Sequence, residues 1–510
     1  MNKNHSKQTQ QAAKITEETS TLQAAAQIQK ITPSLPAGET YELQNEIYTA
    51  KFTTKGAGIT SLRLKEWGRR KMGEINLIEP ISGFGAAFVS PLVNNEKFGE
   101  TTDFSLEKID NVTSKIDFVR EIPGDLRFRK SYELIPQKSA LKLTLEFENL
   151  SSASRSISYE ILSQLHFGTK HDRYEMDQLE SFVSIKNGKV LVQKTGKIKK
   201  NPFVVSDVIE WNALTRKYLS IITKPDFSAS YSETNLAPNS DGFQNKLRFD
   251  PQVLAPGTIL KREFLIYAGP EYYEQLKEFG LEDTLIQGTW GAIRHWLFLA
   301  LRFCRNFTGS YGFAILLMTF LLKVLFSPFT HMSFDSMRKM QVVQPKLKAI
   351  QIQFKNDPAR LNKETMELYK RHKVNPMGGC LPMLIQIPIF IGFYQVLAQF
   401  VELKGESFWW IKDLTEPDRI AQIPGTGFAI NLLPLLMIAT MILQQKVTPQ
   451  QATSSPEQAK MMQFMPIIFG FLFYGLPAGL VLYWTLNNLL TVIHQSLFHW
   501  QATKKALLEA

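Results

Sequence analysis

Cysteine is nearly absent. Cys304 and Cys380 are the only two in 510 residues, which excludes a disulfide framework and a cysteine-based zinc site. The spans assigned below set them near opposite membrane faces, about 30 Å apart, too far to pair. The polar first half is preceded by neither a signal-peptide pattern nor a long apolar run. Residues 1–38, including TQQAAKITEETSTLQAAAQIQK, are rich in Gln, Lys, Thr and Ala and read as a disordered tether. If that half is exported, it needs a leader, so a first helix is expected to be missing or the start misplaced. Acidic residues are missing from every apolar block after Tyr311. No cofactor or metal motif stands out. His166, His171, Asp172, Glu175 and Asp177 cluster in HFGTKHDRYEMD, but the two histidines match no standard ligand spacing, and a polar strand-exit loop accounts for them.

What is present falls into two halves. From about Glu39 to Pro270 the signal is β. Leu141, Leu143, Leu145 and Phe147 alternate with Lys142, Thr144, Glu146 and Glu148, and Leu126, Phe128, Tyr132 and Leu134 repeat the pattern. Turns recur at Lys55-Gly56-Ala57-Gly58, Pro123-Gly124-Asp125 and Asn187-Gly188. Many strands with few helical runs predict one large antiparallel sandwich over 39–270.

The second half carries apolar blocks at 311–331, 381–401, 428–443, 463–476 and 478–498. The first contains one charge, Lys323. An ammonium inside a membrane helix costs about 2.5–3.5 kcal/mol on insertion scales, so it marks a functional site unless it snorkels to the headgroups. Thr319 and Ser327 lie four residues to either side and extend the polarity along one helical face. In the last block Trp484, Asn488, Thr491 and Gln495 share a face, with Asn487 beside it, and Gln386 adds a polar group in the second. Such residues often only join helices. Two stripes and a lone cation together predict a shared hydrophilic cavity.

Between the first two blocks, 332–377 holds ten Lys/Arg against four acids, among them Arg338, Lys339, Lys346, Lys348, Arg371 and Lys373. Asp357-Pro358 has the form of a helix start, so the segment reads as a helical hairpin. The positive-inside rule puts that hairpin in the cytoplasm, together with the 501–510 tail, and the β domain outside. Segment 271–310 reads as a connector followed by an interfacial helix, with Arg294, His295, Arg302 and Arg305 on one arc, a short sixth span being the competing reading.

FLLKVLFSPFT, ELYKRHKVNPMGGCLPMLIQIPIFIGFYQVL and FMPIIFGFLFYGLPAGLVLYWTLNNLLTVIHQ resemble the YidC/Oxa/Alb family of membrane protein insertases, in its Gram-negative form with a large periplasmic domain. The resemblance covers about residues 288–500. It implies a multi-domain protein: a periplasmic β-supersandwich, an α-helical core of five spans and a cytoplasmic helical hairpin. It also implies a non-enzymatic role, receiving nascent membrane proteins in a hydrophilic groove and releasing them into membrane lipid, alone or with the Sec translocon. The hairpin is then expected to receive substrates or targeting factors, and a ribosome is a further expected partner of the protein. Lys323 stands where the family usually has arginine, keeping the charge but not the bidentate fork, while Thr319 and Trp484 match groove-lining positions. The rival readings are a multi-pass transporter or channel with a periplasmic binding domain, which predicts paired midplane charges and repeated halves, and a membrane-anchored carbohydrate-active enzyme.

Overall fold

The computed structural model describes residues 38–509 except 68–72, 80, 82–83, 94, 100, 167–178, 238–241, 287–289, 373, 375–380, 423–428 and 448–455. The contacts separate the chain into two compact units, one of Met1–Lys65 with Glu74–Gly269, the other of Glu66–Gly73 with Pro270–Ala510.

The first unit is built on a nine-stranded sheet, ordered Lys189–Lys194, Leu179–Ile185, Ile209–Arg216, Leu219–Pro225, Ile259–Pro270, Ala140–Asn149, Leu126–Leu134, Lys115–Ile122 and Ser105–Asp110. Two four-stranded sheets accompany it, one over Thr40–Ile78 and one made of Glu160–His166, Gly242–Arg248, Tyr231–Leu236 and Phe203–Val205. Period-two alternation decides which side chains go inside. Leu141, Leu143, Leu145 and Phe147 are fully buried, and the residues between them are half-exposed. On the wetter side Arg127 bridges Glu121 and Glu148, and Arg129 bridges Glu107 and Glu146.

One inward position breaks the apolar rule. Lys130, fully buried, donates from Nζ to the carbonyls of Phe88 at 2.6 Å and Gly56 at 3.1 Å. Two residues along, Tyr132 donates to Ala57 O at 2.7 Å and Phe88 O at 3.2 Å. Gly56, Ala57 and Phe88 all have left-handed backbone, with φ of 64°, 46° and 58°. The two side chains therefore satisfy carbonyls that such turns leave without ladder partners. Burial pushes the Lys130 ammonium well below its ordinary value.

The second unit is helical: α1 Gly291–Thr308, α2 Tyr311–Leu325, α3 Ser327–Gln353, α4 Pro358–Arg371, α5 Leu381–Gln399, α6 Leu432–Val447, α7 Pro456–Leu472 and α8 Ala478–Glu509. No single described helix is long and apolar enough to cross a membrane. The pair α1 and α2, bent by 115°, passes that test together. The expected unbroken run through 331 stops at Phe326, the cap between α2 and α3. Pro328 is the cause: it lacks an N–H and sits at the start of the next helix, where that loss is harmless.

Asp357 caps α4 by accepting from Arg360 N at 3.0 Å, with Pro358 as its first residue. α3 and α4 pack through Val343, Leu347, Leu368 and Val374. Asp418 reaches across sequence to cap α6, accepting from Leu432 N and Leu433 N at 2.9 and 3.0 Å.

On α1 Arg294 is buried, and Arg302 and Arg305 are held at the surface by neighbouring groups. Arg294 bonds Gln399 and Leu285 O, Arg302 pairs with Glu274, and Arg305 lies over the Tyr311 ring at 4.8 Å. The outward face is Trp296, Phe303 and Phe307.

Candidate functional site: a lysine between two helices

Lys323 sits in the last turn of α2, half-buried, and its Nζ donates to Thr491 Oγ1 of α8 at 2.6 Å. Among the described residues no carboxylate lies within ion-pair distance of it. Thr491 in turn donates to Asn487 O at 2.6 Å, one helical turn back, which leaves its oxygen lone pairs aimed at the ammonium. The contact therefore joins the polar stripes of the two helices at one point.

The other residues singled out from sequence are placed less uniformly. Thr319 is buried, and its hydroxyl is taken up by Ile315 O at 2.6 Å on its own helix. Ser327 lies past the break at Phe326, as the first residue of α3. Asn488 donates to Thr440 Oγ1 of α6 at 3.3 Å. Gln386 of α5 bonds the buried Tyr483 hydroxyl of α8. Trp484 stands among Phe390, Phe469 and Phe473, with ring centroids 5.2–6.1 Å away. Among the described residues singled out, Lys323 and Thr491 meet directly; Asn488, Gln386 and Trp484 tie α8 to α6, α5 and α7, while Thr319 and Ser327 join neither contact. Thr440 and Tyr483 escaped the sequence reading. Thr440 is a lone hydroxyl in an apolar run, and a tyrosine in a membrane block reads as an interfacial anchor.

Of the basic residues, Arg338, Lys339, Lys346 and Lys348 are exposed on α3 and Arg371 is exposed on α4; Lys373 lies outside the described residues. Lys339 and Arg371 pair with Asp335 and Glu367 one turn earlier, at 2.8 and 2.9 Å. Cys304 is buried and free, while Cys380 lies outside the described residues. So do His171, Asp172, Glu175 and Asp177, and His166 ends a strand. Among the described residues no group of three or more His, Cys, Asp or Glu could hold a metal.

Comparison with known proteins gives the site its setting. The family described as 60Kd inner membrane protein matches residues 303–505, and the YidC periplasmic domain family matches residues 40–300. The membrane protein insertase YidC of Citrifermentans bemidjiense is 33% identical over 466 residues, covering 89% of this chain and 84% of that protein. That of Pelobacter propionicus is 33% identical over 495 residues, covering 91% and 88%. The chain belongs to the YidC family of membrane protein insertases.

As a YidC-family member it is an inner membrane protein with a β-rich periplasmic domain followed by a helical C-terminal region, and its function is membrane protein insertion. The transporter or channel reading is not favoured. A crystal structure of an active YidC insertase with its first transmembrane domain resolved overlays at a TM-score of 0.38, with 17% identity over 90% of this chain and 94% of that one. A galactose mutarotase related enzyme from Lactobacillus acidophilus overlays at 0.33, with 12% identity over 45% of this chain and 97% of that one. Overlays this loose assign no activity to the YidC β unit.

Proposed function

We propose that this insertase receives the polar flank of a nascent membrane protein at Lys323 and releases the hydrophobic segment sideways into lipid. The observation that carries the proposal is the Lys323–Thr491 contact at 2.6 Å, an ammonium satisfied by a neutral hydroxyl and not by a carboxylate. Such a cation attracts anionic or polar chain without first having to break an ion pair. A flank lodged there crosses less hydrocarbon with its peptide groups exposed. The desolvation barrier falls by several kcal/mol for each polar group accommodated, and neither ATP nor a covalent intermediate is required.

In this reading Tyr311–Leu325, α5, α6, α7 and the first part of α8 are the five spans, and α3 with α4 is the cytoplasmic hairpin. Lys323 then lies about 18 Å below Tyr311, in the inner half of the bilayer. The outward apolar residues of α7 (Phe464, Ile467, Ile468 and Phe471) offer the greasy side along which a client helix slides. The exposed cations of α3 and α4 meet a ribosome or targeting factor, and the Sec translocon shares some clients.

The test replaces Lys323 with Ala and follows insertion of a Sec-independent single-span protein into vesicles. A clear drop in rate, recovered by Lys323→Arg, is expected. An unchanged rate in Lys323→Ala refutes the groove role.

A further inference from the structure

Two histidines from distant parts of the chain meet beside, but not within, the lysine contact. His331 lies in the second turn of α3 and His494 is on α8, three residues past Thr491. They are 163 residues apart in sequence, yet their Nε2 atoms are 3.1 Å apart. The ring centroids are 4.6 Å apart and the planes nearly perpendicular, at 78°. His331 is exposed and His494 half-buried, with Phe334 and Phe498 packed against the pair.

An in-line hydrogen bond and a shared metal ion place the two rings at different separations. A five-membered ring with bonds near 1.33 Å has a radius of about 1.1 Å. In an in-line N–H···N bond the centroids would therefore stand about 5.3 Å apart, the 3.1 Å nitrogen separation plus two radii. Two imidazoles aimed at one metal ion, with metal–nitrogen distances of 2.0–2.1 Å, subtend about 98° at the ion when the nitrogens are 3.1 Å apart. Their centroids then fall about 4.8 Å apart, close to the 4.6 Å found. An angle near 98° lies between the square and tetrahedral values, so neither helix has to move.

We propose that His331 and His494 form a two-imidazole site for a divalent transition ion of the zinc, copper and nickel class, joining the start of α3 to α8. Paired imidazole nitrogens select these ions over magnesium and calcium, which prefer oxygen. The remaining coordination positions are left to solvent or to a side chain of a passing client. Asp335, one turn along α3, is engaged by Lys339 at 2.8 Å, and the positive charge of Lys323 sits against Thr491, three residues before His494. That charge opposes a cation, so the site is expected to be exchangeable and not structural. It is independent of the insertion mechanism proposed for Lys323.

The experiment uses the full chain, purified without a histidine tag, stripped with chelator and placed in lipid nanodiscs. Calorimetric titration with Zn2+ should show a single saturable ion that Mg2+ does not reproduce. His331→Gln and His494→Gln should each weaken it at least about tenfold, or 1.4 kcal/mol, while keeping the metal-free melting temperature. Electron paramagnetic resonance of wild-type chain with one equivalent of Cu2+ should show two coordinated nitrogens, a readout needing no variant. Absence of saturable Zn2+ binding, wild-type affinity in either variant, or a Cu2+ spectrum with fewer than two nitrogens overturns the site.

Discussion

At the scale of single residues, Lys323 and Lys130 are handled in opposite ways. Lys323 is half-buried against one hydroxyl, while Lys130 is sealed inside the β unit by carbonyls. The unfolded chain holds the Lys130 proton up to about 10.5, and burial makes the folded chain release it earlier. Unfolding then takes up a proton between those two values, so stability rises with pH across that window and is flat below it. The β-sheet melting transition of the full chain should therefore climb with pH on the way up to about 10.5 in wild type relative to Lys130→Met. Parallel curves for the two proteins would show that Lys130 titrates normally.

The sequence already held a sign of this residue. Leu126, Phe128, Tyr132 and Leu134 set an inward register in which position 130 is also inward. A lysine there contradicts the pattern, and such contradictions mark special positions. What could not be read was its partner set, because Gly56 and Phe88 come from segments 74 and 42 residues away.

Element boundaries were legible where a local chemical rule fixes them. Asp357-Pro358 starts α4 because the carboxylate satisfies an orphan N–H and proline needs none. Asp357→Ala should cost about 1 kcal/mol of local stability, visible as faster amide exchange in the first turn of α4 with no change elsewhere. The break at Phe326 obeys a rule of the same kind, yet the apolar run around Pro328 conceals it. The cap of α6 has no local signal, since Asp418 sits 14 residues from Leu432.

Close packing between elements was equally illegible. Gly312, at the start of α2, lies so near the Phe408 ring that a methyl group would overlap it. An aromatic ring cannot swing aside as a lysine tip can, so Gly312→Ala should displace the 401–418 segment or tilt α2. A fall in melting temperature of the helical transition, larger than for Gly475→Ala with open space around it, is the expected result.

At the scale of the whole molecule, the β unit and the helical unit each close their own contacts, and Lys323 and Thr491 both belong to the second. Within that unit a strut built on a buried carboxyl lies apart from the Lys323–Thr491 contact. Glu402 accepts from Tyr273 N at 2.8 Å, tying the segment after α5 to the short helix Tyr273–Glu278 that precedes α1. Burial pushes its carboxyl up to about 7, against the pull of that hydrogen bond.

A folded value raised above the ordinary 4.5 means that the folded state holds the proton longer than the unfolded one. The stabilisation is complete below the ordinary value and is lost as pH rises through about 7. Glu402→Gln keeps an acceptor for Tyr273 N but cannot titrate. The helical melting transition of wild type should thus fall from roughly pH 5 to pH 8 relative to Glu402→Gln, while insertion by the variant at neutral pH stays near wild type. If the strut instead belonged to the groove, the variant would change insertion and melting together, and the separation of Lys323 from the connector would be wrong.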